Sequence, residues 1–275
     1  MDSLLSNEEF ERFRNVINSE SGIHFSDTNR SILDSRLRER LRSSDLGTVG
    51  EYYDLIIRDK DEFKTLLDSV TTNLTRFFRN DSHFAALEHD VIPDIIAHKR
   101  STGSKKVRIW SAGCSTGEEA YSVAILLSEL LPPGIGYEIT ASDLSLKSLM
   151  IAREGFYLET RMSGVSEAYR QRYFTKRDDG FLINDTIKSG ITFDYHNLKF
   201  DSGLRELDLL LCRNVIIYFD DAAKKAAMEK FWEALNDHSY LFIGHSESLF
   251  GMKTRFDFRK TDNATFYVKR PGEAR

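Results

Sequence analysis

The chain has little cysteine. Only Cys114 and Cys212 occur in 275 residues, which excludes a disulfide-stapled scaffold and points to a reducing cytoplasm. It has no excess of basic charge either. Asp and Glu number 43 against 38 Lys and Arg, for a net charge of −5, so a broadly basic surface that coats nucleic acid is excluded. Long apolar runs are absent too. The densest window, residues 121–131, is broken by Ser122, Ser128 and Glu129 and falls short of a membrane span. The first nine residues lack the basic start and apolar stretch of a secretory signal. There is no internal repeat, no low-complexity segment, and no Cys/His cluster at the spacing of a metal site. What remains is a 31.7 kDa chain with 41% hydrophobic residues, enough for one large core or two smaller ones.

The pattern changes near residue 100. Before it, apolar residues recur at helical spacing: Phe10, Phe13, Val16 and Ile17, then Leu33, Leu37 and Leu41, then Tyr52, Tyr53, Ile56 and Ile57. This predicts a bundle of about four helices to residue 80, followed by a linker helix over residues 81–100. After it, strand and helix signals alternate. Strands are expected at 107–110, 137–142, 207–212, 239–244 and 264–269, with helices at 118–131, 145–153 and 220–235. Such alternation implies an α/β fold with a doubly wound parallel sheet over residues 101–275. Residues 157–197 break the alternation. The pieces Phe181–Asn184 and Ile191–Tyr195, with a reversal at Asp178-Asp179-Gly180, read as a small inserted antiparallel β-subdomain.

Between the first of these strands and its helix lies Ser111-Ala112-Gly113-Cys114-Ser115-Thr116-Gly117-Glu118-Glu119. Small residues there let backbone approach a ligand at a helix N-terminus. The spacing is not the Gly-x-Gly-x-x-Gly of a dinucleotide site, which argues against a nicotinamide-dependent oxidoreductase. Two carboxylates at the helix start would repel a pyrophosphate. They either complement the helix dipole or receive a ligand with a cationic amino-acid part and ribose hydroxyls, as S-adenosylmethionine has. Asp143 ends the second strand, where an acid takes ribose hydroxyls or caps the next helix. Asn197 and Asn214 follow later strands and would face the same carboxyl edge. Two further stretches stand out: Thr71 to Arg79, with paired phenylalanines among polar groups, and Arg213 to Asp220, with Tyr218 beyond a buried strand.

Five stretches match, in order, those of one family: Thr72-Asn73-Leu74-Thr75-Arg76-Phe77-Phe78-Arg79, Trp110 to Ser122, Ala141-Ser142-Asp143, Cys212 to Asp220, and Gly244-His245-Ser246-Glu247-Ser248. The chain resembles the bacterial chemotaxis receptor methyltransferases, the CheR family, over nearly its whole length. The resemblance implies a class I methyltransferase sheet with a β-subdomain, joined to an all-α N-terminal domain. It implies methyl transfer from S-adenosylmethionine to glutamate side chains of the chemoreceptor cytoplasmic helical bundle, leaving S-adenosylhomocysteine. By position, Asn73, Thr75, Arg79, Glu119, Asp143, Asn197, Leu198, Asn214 and Val215 would contact the cofactor, with Arg79 and Tyr218 at the reacting centre. Arg36, Arg38, Arg40 and Arg42 lie on a helix anchored by Leu33, Leu37 and Leu41, a solvated face by default; the resemblance makes it the receptor-docking face. The hairpin at 175–180 is shorter than in members that tether to a receptor C-terminal pentapeptide, so no tether is expected. A cytoplasmic monomer without metal, nucleic acid or membrane insertion completes the expectation. A cofactor-binding module without activity and a nucleic-acid methyltransferase are the rivals. The first is disfavoured by Arg79 and Tyr218, the second by the missing basic surface and the absence of proline after Asn214.

Overall fold

The computed structural model describes residues 4–71 and 74–270. Among them, the N-terminal unit contains α1 (Asn7–Ser21), α2 (Arg30–Ser43), α3 (Val49–Arg58) and α4 (Lys60–Val70). Their ends are written locally. Ser6 and Glu9 form a capping box at α1, Thr48 and Glu51 another at α3, and the Asp59 carboxylate caps α4. Gly22, at φ 77°, closes α1 in the left-handed conformation that glycine adopts at no steric cost. Phe10, Phe13, Ile17, Leu33, Leu37, Tyr52 and Ile56 meet in one core, and the expected member Ile57 turns outward.

Next come α5 (Asp81–Ala86), one π-helical turn (Leu87–Val91) and α6 (Ile92–Thr102). This stretch, expected as a linker, is built into the sheet domain. Leu87, Val91, Ile92 and Ile95 are buried in the same cluster as Ile109, Leu209 and Phe242. Asp90, in the π turn, accepts hydrogen bonds from Thr261 Oγ1 (2.8 Å) and Asn263 Nδ2 (3.1 Å).

The sheet domain then runs β1 (Lys106–Ala112), α7 (Glu118–Leu130), β2 (Gly136–Asp143), α8 (Leu146–Glu154), β3 (Phe156–Leu158), α9 (Glu167–Tyr173), β4 (Phe174–Arg177), β5 (Gly180–Ile183), α10 (Asp185–Lys188) and β6 (Ile191–Tyr195). It ends with β7 (Leu207–Cys212), α11 (Asp221–Ala234), β8 (Leu235–Ile243), β9 (Asp257–Lys260) and β10 (Thr265–Lys269). The main sheet has the order β6-β2-β1-β7-β8-β10-β9. On β7, Leu209 and Leu211 enter one core layer while Leu210 and Cys212 enter the other. A strand covered on both faces reads as an unbroken apolar run for this reason.

Two expectations need correction. The sheet is mixed: β6, β2, β1, β7 and β8 are parallel, but β10 runs antiparallel to β8 and pairs with β9, a strand of exposed residues whose polar sequence gave no signal. Ile191–Tyr195 is not in the small antiparallel sheet. It is β6, the edge of the main sheet, parallel to β2. The small sheet is β3-β5-β4, with its reversal at Asp178 and Asp179 as expected. The strand order reverses between β1 and β7, which opens a crevice at their carboxyl ends. With helices on both faces and the inserted hairpin sheet, this is the class I methyltransferase architecture.

Candidate active site

The crevice at the ends of β1, β2, β6 and β7 continues into a cleft open to solvent. Its far wall comes from the helical unit, through Ser21, Ile23, Val70 and Thr71. Thr75, Arg79, Glu119, Asp143, Asn197, Leu198, Asn214, Val215 and Tyr218 all line it. Asn73 lies outside the described residues.

The turn after β1 makes the floor. Gly113, at φ 84°, donates its N–H to Ser142 O (2.8 Å). A Cβ at this position would stand 2.3 Å from Val215 Cγ2, so only glycine lets the two loops touch. Ser115, also left-handed at φ 50°, donates its N–H to Asp143 Oδ2 (2.7 Å), while Ser145 N–H takes Asp143 Oδ1 (2.9 Å). Asp143 is buried, and loss of water raises its pKa against the opposing pull of these N–H groups.

The two glutamates at the start of α7 part company. Glu119 faces the cleft, accepting from Ser111 Oγ (2.7 Å) and from Arg213 Nη1 (3.2 Å). Glu118 does not reach it. Fully buried, it accepts from Thr116 Oγ1 (2.7 Å) and pairs with Arg161, and burial raises its pKa. Adjacent helix positions differ by about 100° in direction, so one carboxylate meets ligand space and the other meets core.

Residues 74–80 form a taut loop. Phe77 is buried edge-on against Tyr157 and Phe174, with ring centroids 4.9 and 5.5 Å away. Phe78 (φ 50°) and Asn80 (φ 67°) are left-handed without being glycine. Phe78 N–H donates to Ser122 Oγ (2.9 Å), and Arg213 Nη2 donates to Arg79 O. Arg79 Nη1 donates to Leu74 O (2.9 Å), which folds the guanidinium over the cleft side of the loop.

Beyond β6 and β7 the helical unit is clipped to the sheet domain. Asn197 Nδ2 donates to Glu20 O (2.6 Å) and its Oδ1 accepts from Lys199 N (2.9 Å), so both ends of this amide hold backbone. His24 N–H donates to Tyr218 O (2.7 Å), and Ile23 bridges Phe219. Asn214 is left-handed at φ 60°; its N–H and that of Ile217 both donate to the Glu247 carboxylate, at 2.9 and 3.1 Å. Gly244 N–H joins them on the same carboxylate.

Arg213 and Glu247 lie in stretches that stand out in the sequence, but nothing local to either residue announces its partners. The expected docking set is only partly outward. Arg42 is exposed, Arg36 and Arg38 are half-buried, and Arg36 pairs with Glu39 (3.6 Å). Arg40 makes a bidentate pair with Glu62 (2.8 and 2.9 Å) that also takes the Tyr52 hydroxyl (2.6 Å), so its charge is neutralised between α2 and α4. Cys114 and Cys212 are both buried, and burial raises both thiols.

The cleft fits S-adenosylmethionine on its own chemistry. Ser115 Oγ and Asn214 Oδ1 are buried there and lack a hydrogen-bond partner among the described residues, which is costly unless a ligand supplies one. Two carboxylates, Glu119 and Asp143, stand beside apolar Val215 and Leu198, a mixture suited to a cationic ligand with hydroxyls and a flat base. No helix among the described residues is long and apolar enough to cross a membrane.

Comparison with known proteins agrees with this geometry. Chemotaxis protein methyltransferase 2 of Vibrio cholerae is 31% identical over 274 residues, covering 97% of this chain and 94% of that protein. The chemotaxis protein methyltransferase of Escherichia coli is 33% identical over 264 residues, covering 93% and 89%. That of Borreliella burgdorferi is 32% identical over 258 residues, covering 90% and 91%. Residues 8–71 match the CheR methyltransferase all-alpha domain, and residues 73–265 match the CheR methyltransferase SAM binding domain. The chain therefore belongs to the CheR family of S-adenosylmethionine-dependent methyltransferases.

Proposed function

We propose that the chain methylates glutamate side chains of chemoreceptor cytoplasmic helical bundles in chemotactic adaptation, working in the cytoplasm as a monomer. The bound cofactor supplies a methyl group on a positively charged sulfur; the products are a glutamate methyl ester and S-adenosylhomocysteine. The observation that carries the reading is the convergence of Arg79 and Tyr218 on the cleft that holds Glu119 and Asp143. Asn73, Thr75, Glu119, Asp143, Leu198, Asn214 and Val215 would hold the cofactor. Asn197 would do so through the surface it leaves free of the α1 clip. A glutamate carboxylate, with a pKa of about 4.3, is already ionised at neutral pH and needs no general base. The protein's task is to strip water from it and aim one oxygen. Arg79 would hold a carboxylate through charge-assisted hydrogen bonds, and Tyr218 would orient the reacting group.

Docking would use Arg36, Arg38 and Arg42 on α2, so association with receptor weakens as salt rises. No receptor pentapeptide tether is required: a submicromolar calorimetric signal with such a peptide would count against this. The test is methyl transfer from labelled S-adenosylmethionine to receptor cytoplasmic fragments, with the modified residues mapped by mass. Arg79→Ala should lose about 100-fold in turnover, and Tyr218→Phe less. Wild-type turnover by Arg79→Ala, or label on side chains other than glutamate, refutes the proposal.

A further inference from the structure

We infer that Arg213 is a positioning residue that sets the Arg79 loop for methyl transfer. The inference rests on the reading that Arg79 acts at the reacting centre.

Arg213 is 5% exposed, and arginine is almost never buried to this degree unless it is paired. Its two terminal nitrogens point in different directions. Nη1 meets Glu119 Oε2 at 3.2 Å in the cleft wall, and Nη2 meets the main-chain oxygen of Arg79 itself. Nε is buried without a hydrogen-bond partner among the described residues. The guanidinium Cζ lies over the Phe84 ring, 5.8 Å from the centroid. Beside it, His83 is 3% exposed, and burial together with the Arg213 charge pushes its pKa down to about 4. The imidazole is neutral at physiological pH.

The loop needs such a restraint. Phe78 and Asn80 flank Arg79 in left-handed conformations, at φ 50° and 67°, which non-glycine residues hold only when their surroundings over-determine them. Ser122 fixes the N–H of Phe78, one residue before Arg79, and Arg213 fixes the carbonyl oxygen of Arg79 itself. The peptide entering Phe78 and the peptide leaving Arg79 are therefore both held, and they bracket the segment from which the Arg79 side chain leaves the loop. The planar fork of arginine is required, because a lysine ammonium reaches one of these partners at a time.

The test is a rate cycle with a structural readout beside it. In the protein without cofactor, Arg213→Met should speed amide hydrogen exchange at Phe78 by about tenfold and leave α1 unchanged. With labelled S-adenosylmethionine and a receptor fragment, Arg213→Met should lower turnover about 30-fold, the scale of loss when a reacting group is misplaced by an ångström. Added to Arg79→Ala, it should cost less than about threefold more, because the residue it positions is gone. Arg213→Lys, which keeps the charge, should fall about tenfold, and it replaces Met throughout if the latter does not fold. Fully multiplicative losses in the double variant, or unchanged exchange at Phe78, overturn the inference while leaving the proposed function intact. Wild-type turnover by Arg79→Ala alone instead overturns the functional reading beneath it.

Discussion

Replacing Glu247 by Gln tests how the cleft is held together. One carboxylate accepts from the N–H groups of Asn214, Gly244 and Ile217, spanning more than thirty residues of chain. Hydrogen bonds to a charged group contribute about 1.5–3 kcal/mol each. Glutamine keeps one accepting oxygen. Turned toward Asn214 and Gly244, it presents its NH₂ to the Ile217 N–H, donor against donor. The loss is then one bond outright, partly compensated by water because Ile217 N–H is exposed, and the charge on the other two, or at least about 2 kcal/mol. It falls on the turn that keeps Asn214 at φ 60° and carries Tyr218. If the turn is the binding-competent state, about 2 kcal/mol corresponds to a roughly 30-fold weaker affinity for S-adenosylhomocysteine. Isothermal calorimetry on wild type and Glu247→Gln measures it directly, with thermal melting as the check on folding. A folded variant that binds with wild-type affinity refutes the reasoning.

Other outcomes follow from individual contacts. The folded-state pKa of His83 is pushed down from 6.5 to about 4, so the unfolded chain takes up the proton first as pH falls. The stabilisation by neutral His83 is complete above pH 6.5 and lost as pH drops toward 4, by about 3 kcal/mol. His83→Leu should flatten the fall in urea midpoint over that range, and an identical slope in both proteins would contradict the assignment. Gly113→Ala places a methyl 2.3 Å from Val215 Cγ2 at φ 84° and should cost about 1–3 kcal/mol of stability together with cofactor affinity. Equal melting and binding would show that the loops separate freely. Arg40→Ala breaks the largely buried pair with Glu62 and should cost about 2–3 kcal/mol in denaturant while S-adenosylhomocysteine affinity holds; Arg42→Ala should change stability by less than about 0.5 kcal/mol. A neutral Arg40→Ala would return that residue to the docking face.

Much of the sheet domain was readable because its signals are local. The apolar run 207–212 and the glycine turn at 113–117 announce a covered strand and a ligand-facing loop by themselves. Strand membership was not readable. Ile191-Thr192-Phe193-Asp194-Tyr195 alternates as any half-exposed strand does, and only tertiary pairing decides that it joins β2 and not β5. β9 has no apolar alternation to detect. In the site, Asp143 and Asn214 were visible as polar residues at strand ends. Arg213 and Glu247 were not assigned because their partners, Arg79 and Asn214, lie 134 and 33 residues away. Arg40 is the opposite case. Helical spacing places it among four basic residues, but the acid that neutralises it sits on another helix, 22 residues on.

The two family matches meet at residues 71 and 73, yet the hollow between the sheet and the helices is bounded on both sides of that seam: Thr71 and Ser21 come from one match, Leu74 and Thr75 from the other. With Glu20 gripped by Asn197, and His24 by Tyr218, the amino-terminal bundle is a wall of that hollow and not a detachable handle. A displacement of α1 is therefore felt at Asn197 and Tyr218, two residues that line the hollow.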